Sequence, residues 1–212
     1  VGLPKEARAL NLGCGVQAAD GWINIDNSPN ARLAKLPRLR WLLWKAGVIS
    51  DEHYRVAWPN SMMLRDLSRP LPFADCSIDF VYTSHFLEHN SRDQAEHLVA
   101  EMHRVLKPGG LVRVVVPDLE FGARRYLDSL RAGPEACEAA PAFLDWLQLG
   151  RGGVRDPHLW MYDAASLKSM LLRAGFTDAV VCGYREGRLP DCEILDNRPE
   201  DSVHIEAGKS CG

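Results

Sequence analysis

The sequence predicts an α/β fold, a mostly parallel sheet with helices packed on its faces. Short β-rich runs alternate with helical ones along the chain. One run, LVRVVVP (111–117), is nearly all aliphatic, as a strand buried on both faces requires. Another, ALNLGCG (9–15), ends in a glycine pair, which lets backbone N–H groups approach a ligand at the end of a strand. With 212 residues, 46% of them hydrophobic, the chain can bury one sizeable core, and a single domain spanning 1–212 is expected.

In chain order, the strand candidates are 7–13, 22–26, 61–64, 77–83, 111–117, 178–184 and 202–208. The clearest helix is SRDQAEHLVAEMHRVLKPGG (91–110). Ser91 and Gln94 form a capping-box pattern, and Ala95, Leu98, Val99, Met102, Val105 and Leu106 share one face. Lys107, Pro108 and two glycines stop it. A second helix runs from Asp163 as N-cap to Gly175 as stop. Two insertions interrupt the alternation. Residues 30–60 are rich in tryptophan, and residues 118–157 hold one or two helices and a glycine hinge, GRGG. Both leave the carboxyl ends of strands, where open α/β sheets bind ligands, and are expected to act as a lid and a substrate-selecting wall. Trp41, Trp44 and Trp146 either line that opening or pack the insertions onto the body. The WLLW segment (41–44) reads as a lid or as a homodimer contact.

Bulk properties narrow the classes. A net charge of −3 and a pI near 6.2 leave no footprint for nucleic acid or an anionic membrane. No apolar run reaches the roughly 18–20 residues of a membrane span, and VGLPKEARAL lacks a signal peptide's apolar core. The six cysteines form no C-x-x-C pair, so a reduced, cytoplasmic setting is expected, with Cys211 in a loose tail.

GCGVQA fits the dinucleotide pattern G-x-G-x-x-A, but the spacing opposes that reading. Such a fingerprint opens a full helix, with its ribose-binding acid about 20 residues on. Here Asp26 ends the next strand 13 positions after Gly13, so residues 16–21 cannot hold a crossover helix. With no helix N-terminus to hold a pyrophosphate, a cofactor without phosphates fits better.

LNLGCG, INID, LRDLSRPLPFADCSIDFVYTSHFLEH and EMHRVLKPGGLVRVVVPD, in that order, resemble the class I S-adenosylmethionine-dependent methyltransferases. The nearest likeness is to small bacterial members linked to sugar and polysaccharide modification. The resemblance implies a Rossmann-like sheet of order 3-2-1-4-5-7-6 with an antiparallel last strand. It implies S-adenosylmethionine as cofactor, with Gly13, Cys14 and Gly15 at its methionine part and Asp26 on both ribose hydroxyls. Asp66 and Leu67 would hold the adenine, with Ser84 and His85 beside the sulfonium. The absent first helix departs from the wider family.

SHFLEH (84–89) contains H-x-x-E-H, the inverted zinc-protease signature. That reading needs both histidines on one helix, whereas this motif directly follows a strand. Some members of the superfamily carry E-x-x-E-H at this place and bind a divalent metal with it. By that likeness His85, Glu88 and His89, joined by His158 from DPHLWMYD, are candidate metal ligands. Three imidazoles and a carboxylate suit a transition metal or zinc better than magnesium. Alternatively His85 or His158 is a general base without metal, or Glu88 and His89 only pack a short helix.

The expected activity is O-methylation of a sugar or glycan hydroxyl. The alternatives are a methyltransferase for small secondary metabolites, a catalytically silent binding module of the same fold, and an NAD enzyme.

Overall fold

The computed structural model describes residues 2–131, 133–148, 157–199 and 201–210. The GRGG hinge (150–153) and Cys211 lie outside the described residues. Seven strands form one sheet: β1 (Ala9–Leu12), β2 (Ile23–Asp26), β3 (Met63–Leu64), β4 (Ile78–Ser84), β5 (Leu106–Pro117), β6 (Thr177–Cys182) and β7 (Ser202–Gly208). Their order is β3-β2-β1-β4-β5-β7-β6. The first five strands pair in parallel, and β7 is antiparallel to both neighbours, as the resemblance implies. This is the Rossmann-like class I methyltransferase fold.

Eight α-helices accompany the sheet in the described residues. They are α1 (Pro29–Ala34), α2 (Pro37–Lys45), α3 (Asp51–Arg55), α4 (Arg92–Val105), α5 (Leu119–Ser129), α6 (Ala139–Leu147), α7 (Ala164–Arg173) and α8 (Cys192–Leu195). None is long and apolar enough to cross a membrane. Both halves of the Ser91/Gln94 capping box form, and α4 buries Ala95, Leu98, Val99, Met102 and Val105. Burying each large aliphatic side chain contributes about 1.5–3 kcal/mol. The helix ends earlier than expected, because Leu106 is already extended and pairs with Ile78. The Lys107–Gly110 stop therefore lies within β5.

The alternation of β5 divides the core. Val112, Val114 and Val116 face the layer formed with α4 and α7. Leu111 and Val115 face a second layer with Trp22, Tyr82, Leu189 and Leu195. No helix separates β1 from β2, as the spacing requires. That bare face is covered instead by the β6–β7 connection. Tyr82 donates its hydroxyl to the Leu195 carbonyl (3.0 Å), Gln17 Nε2 donates to the Ile194 carbonyl (2.6 Å), and Trp22 Nε1 donates to Asp191 (2.8 Å).

Arg113, on the same face of β5 and fully buried, clamps this cover. It pairs with Asp196 at 2.5 Å and Glu206 at 3.0 Å, and donates to the carbonyls of Gly183 and Glu186. Asp196 also accepts from Arg185 N, and Glu206 from the N–H groups of Arg188 and Leu189. A buried ion pair is tolerable only when its remaining polar atoms are satisfied in this way.

The insertions pack largely on themselves. Trp44 stacks on Tyr54 with ring centroids 4.4 Å apart and donates to Asp51. Trp146 stacks on Phe143, donates to Asp201, and occupies the space a Gly122 side chain would need. Of the three tryptophans singled out in the sequence, only Trp41 is exposed.

Candidate active site

The site begins where β1 ends. The N–H groups of Gly13 and Cys14 both donate to the Ile25 carbonyl, at 2.9 and 3.0 Å. Both glycines are left-handed, Gly13 at φ +70° and Gly15 at φ +52°, a region open to glycine at little cost. They differ in surroundings. A Cβ on Gly13 would lie 2.5 Å from the Phe86 ring, whereas one on Gly15 would meet open space. Cys14 is buried, and burial together with the Asp26 charge pushes its thiol up to about 12. It is a neutral group at physiological pH.

Asp26 ties this loop to β2. One carboxylate oxygen accepts from Gly15 N (2.9 Å) and the other from Ser28 N (2.7 Å). A carboxylate has about four acceptor positions, so two remain for a ligand. They border a cavity of about 690 Å³ lined by Gly13, Gly15, Asp26, Asp66, Leu67 and His85. That volume lies within the ordinary range for cofactor sites. Asp66 accepts from the N–H and hydroxyl of Ser68, which together hold its carboxyl below the usual range. It serves both as a turn residue and as a cavity wall. A smaller cavity of about 200 Å³ adjoins on the other side of the glycines. Cys14, Ser84, His85 and Arg198 line it, and the buried Ser84 hydroxyl has no hydrogen-bond partner.

His85 stands between the two cavities. Its backbone is left-handed (φ +48°) and its N–H donates to the Val115 carbonyl. Its Nε2 lies 2.9 Å from the Ser202 hydroxyl, and its Nδ1 lies 3.3 Å from Glu88 Oε1. Glu88 and His89 sit in a 3-10 turn, Leu87–His89. Glu88 is fully buried, and neither carboxylate oxygen has a hydrogen-bond partner.

His158 reaches this point from far along the chain, because the N–H groups of Leu159 and Trp160 both donate to the Glu88 carbonyl, at 2.7 and 3.1 Å. Its Nδ1 and the Tyr162 hydroxyl are also buried without partners. Burial pushes the His158 imidazole down, against the pull of Glu88. Burial and the Glu88 charge push the Tyr162 phenol up to about 12. Ligand atoms of Glu88, His89 and His158 lie within 4.8 Å of one another. His89 Nδ1 lies 3.3 Å from the Pro157 carbonyl, the kind of contact that orients a ligating imidazole. An orphaned carboxylate beside two imidazoles fits a divalent transition metal or zinc. His85, the fourth ligand expected, contacts Glu88 but is not in this group.

Tyr162, Ser202, Phe86 and Arg198 were not marked by the sequence. Phe86 and Tyr162 carried a signal, their places inside SHFLEH and DPHLWMYD; Ser202 arrives through the β5–β7 register, Pro117 opposite Ser202. Asp118 is the N-cap of α5 and accepts from Glu120 N, while Glu120 pairs with Arg124. His103 packs edge-on against Phe176, and His204 is buried in β7.

Residues 48–114 match the family described as a methyltransferase domain. An uncharacterized methyltransferase of Synechocystis sp. is 35% identical over 57 residues, 27% of each chain. A protein of Encephalitozoon cuniculi named as a methyltransferase is 27% identical over 132 residues, 62% of this chain and 55% of that one. The chain thus spans less than two thirds of either curated relative. Among solved structures, the S-adenosylmethionine-dependent methyltransferase of Methanosarcina mazei superposes with a TM-score of 0.56 at 19% identity, over 99% of this chain and 95% of that one. One from Thermotoga maritima gives 0.53 at 20% identity, over 98% and 84%. The chain thus carries the fold of the S-adenosylmethionine-dependent methyltransferases, and residues 48–114 match a methyltransferase domain.

Proposed function

We propose that this chain is an O-methyltransferase that methylates a hydroxyl of a sugar unit in a glycan, with S-adenosylmethionine as donor. The observation that carries the reading is the juxtaposition of a nucleoside-sized cleft ending in Asp26 with buried Glu88 and His158 atoms that make no hydrogen bond. Bound in that cleft, S-adenosylmethionine supplies an electrophilic methyl group. Asp26 accepts from both ribose hydroxyls, Asp66 and Leu67 hold the adenine, and Gly13, Cys14 and Gly15 bind the methionine part through their backbone. Ser84 and His85 border the methyl.

A neutral alcohol is a poor nucleophile and must lose its proton as the new bond forms. His158, kept neutral by burial, takes that proton at Nδ1, for a typical gain of about 10²–10⁴. Glu88 then faces the resulting imidazolium, and His85, anchored by Ser202, steadies Glu88. In a second reading, favoured by the 4.8 Å grouping, Glu88, His89 and His158 would hold a divalent metal, with His85 beside Glu88, and the group would supply Lewis acidity toward the hydroxyl.

The acceptor reading rests on the family resemblance and on Trp160, an exposed indole whose backbone is tied to Glu88 and whose flat face suits a pyranose. The whole chain acts as one methyltransferase domain. The described part of the second insertion, α5 and α6, forms an acceptor wall, tied to the His158 segment by the Asp118–Tyr162 bridge, and the 30–60 insertion flanks the cofactor through the start of α1. A cytoplasmic setting fits Cys14, Cys76, Cys182 and Cys192, which are free thiols.

Release of S-adenosylhomocysteine, measured against a sugar panel and a phenolic-metabolite panel, tests the acceptor. Turnover on sugars is expected, and turnover confined to phenols would overturn that assignment. His158→Ala is expected to lower kcat by about 10²-fold or more with little change in cofactor affinity; equal losses in both would contradict its role. Full activity after exhaustive chelation would leave the base reading and remove the metal.

A further inference from the structure

We propose that α2 is a docking face for an anionic lipid surface. Residues 27–50 contain five cations, Arg32, Lys35, Arg38, Arg40 and Lys45, and no carboxylate. The chain as a whole is acidic, so this is a local concentration of positive charge. None of the five forms an ion pair among the described residues. Arg32 donates to the Asn27 side chain and Lys35 to the Asn60 carbonyl, Arg40 turns inward onto the carbonyls of His53, Tyr54 and Val56, and Lys45 lies over the Trp44 ring. Arg38 and Lys45 remain exposed.

The same surface is apolar. Leu36, Leu39, Trp41, Leu42 and Val48 are 43–65% exposed, and α2 buries no residue at all. The spacing places Arg38, Trp41, Leu42 and Lys45 at i, i+3, i+4 and i+7, on one helix face. The element therefore presents an indole and leucines flanked by long cationic side chains, the pattern of helices that lie in a membrane interface.

Charge selects this occupant over the others. A second copy would set the same cations against each other across a two-fold axis. A nucleic acid would satisfy the cations but would leave Leu39, Leu42 and Val48 without apolar partners. An anionic bilayer satisfies both sets of groups. The chain enters α1 directly from the cofactor cavity, whose wall includes Ser28, Pro29 and Asn30. Docking through α2 would thus hold the cleft close to acceptors carried at a lipid surface.

Co-sedimentation of the full chain with vesicles tests this. Binding is expected to phosphatidylcholine vesicles containing phosphatidylglycerol, to fall with added salt, and to be weak on phosphatidylcholine alone. Removing each cation should weaken binding about fivefold, so the Arg38→Glu/Lys45→Glu pair should release the protein. Trp41→Ser/Leu42→Ser should do the same, while Leu172→Ser, an exposed leucine on α7, should not. Thermal midpoints check that every variant folds. Equal binding to neutral vesicles, no binding to either, or equal loss in Leu172→Ser would overturn the proposal. So would a dimer in sedimentation velocity that Trp41→Ser abolishes, or tighter binding to an RNA or DNA oligomer than to the anionic vesicles.

Discussion

Gly13 and Gly15 stand two positions apart, share a backbone region, and carry different constraints. At Gly13 a side chain would collide with Phe86 as well as strain the backbone; at Gly15 only the strain of a left-handed residue applies, roughly 1–2 kcal/mol, and the new methyl would project into the open cleft. Gly13→Ala is therefore expected to lower stability by more than Gly15→Ala, by about 2 kcal/mol or more in denaturant unfolding. Gly15→Ala should instead lose more affinity for S-adenosylhomocysteine than its stability loss explains. Equal behaviour of the two variants would contradict the asymmetry. The glycine pair and Asp26 were legible in the sequence because a turn and an acid at the end of a strand are local features. The Phe86 contact was not, because it joins two strands' ends through the tertiary fold. Glu88 and His158 were marked by likeness to metal-binding members of the superfamily, but their meeting depends on the Leu159 and Trp160 N–H groups finding one carbonyl.

At the scale of elements, the missing crossover helix was legible from six residues that cannot contain one, while its replacement was not. The β6–β7 connection covers the bare face because Arg113 binds it from within the sheet, and nothing in LVRVVVP distinguishes that arginine from a solvent-facing one. Arg113→Leu leaves Asp196 and Glu206 buried without their cation, and is expected to cost about 3–5 kcal/mol in urea unfolding. A loss below about 1 kcal/mol would show that the clamp contributes little. The early end of α4 has a similar lesson. Lys107–Gly110 correctly marks where a helix cannot continue, but sequence punctuation does not say that the backbone is already extended and paired.

For the whole molecule, burial holds His103, His158 and His204 below the ordinary histidine value of 6.5; Lys209 adds to the effect at His103, and Asp196 opposes it at His204. Protons then bind the unfolded chain before the folded one. These groups cost no stability above about pH 6.5, and a penalty grows as pH falls from there toward their folded-state values. The thermal midpoint is expected to drop between about pH 7.5 and about pH 5.5, before carboxylates such as Glu101, held low by Arg104, begin to protonate. A midpoint that stays level or rises over that range would contradict this. The strands themselves were legible at this scale because each carries its own pattern, whereas their order and the antiparallel last strand came from the family resemblance, since a strand's pattern does not name its neighbours. Net charge averages over this scale: the total of −3 includes a stretch, 27–50, with five cations and no carboxylate.

The central claim is that Asp26 receives the cofactor's ribose, and calorimetric titration of S-adenosylhomocysteine into the native chain and into Asp26→Asn tests it most directly. The amide keeps the shape of the side chain but not its charge, and two hydrogen bonds to a neutral acceptor should together be weaker by about 2 kcal/mol, roughly thirtyfold in affinity. Equal affinity in two folded proteins would contradict the account.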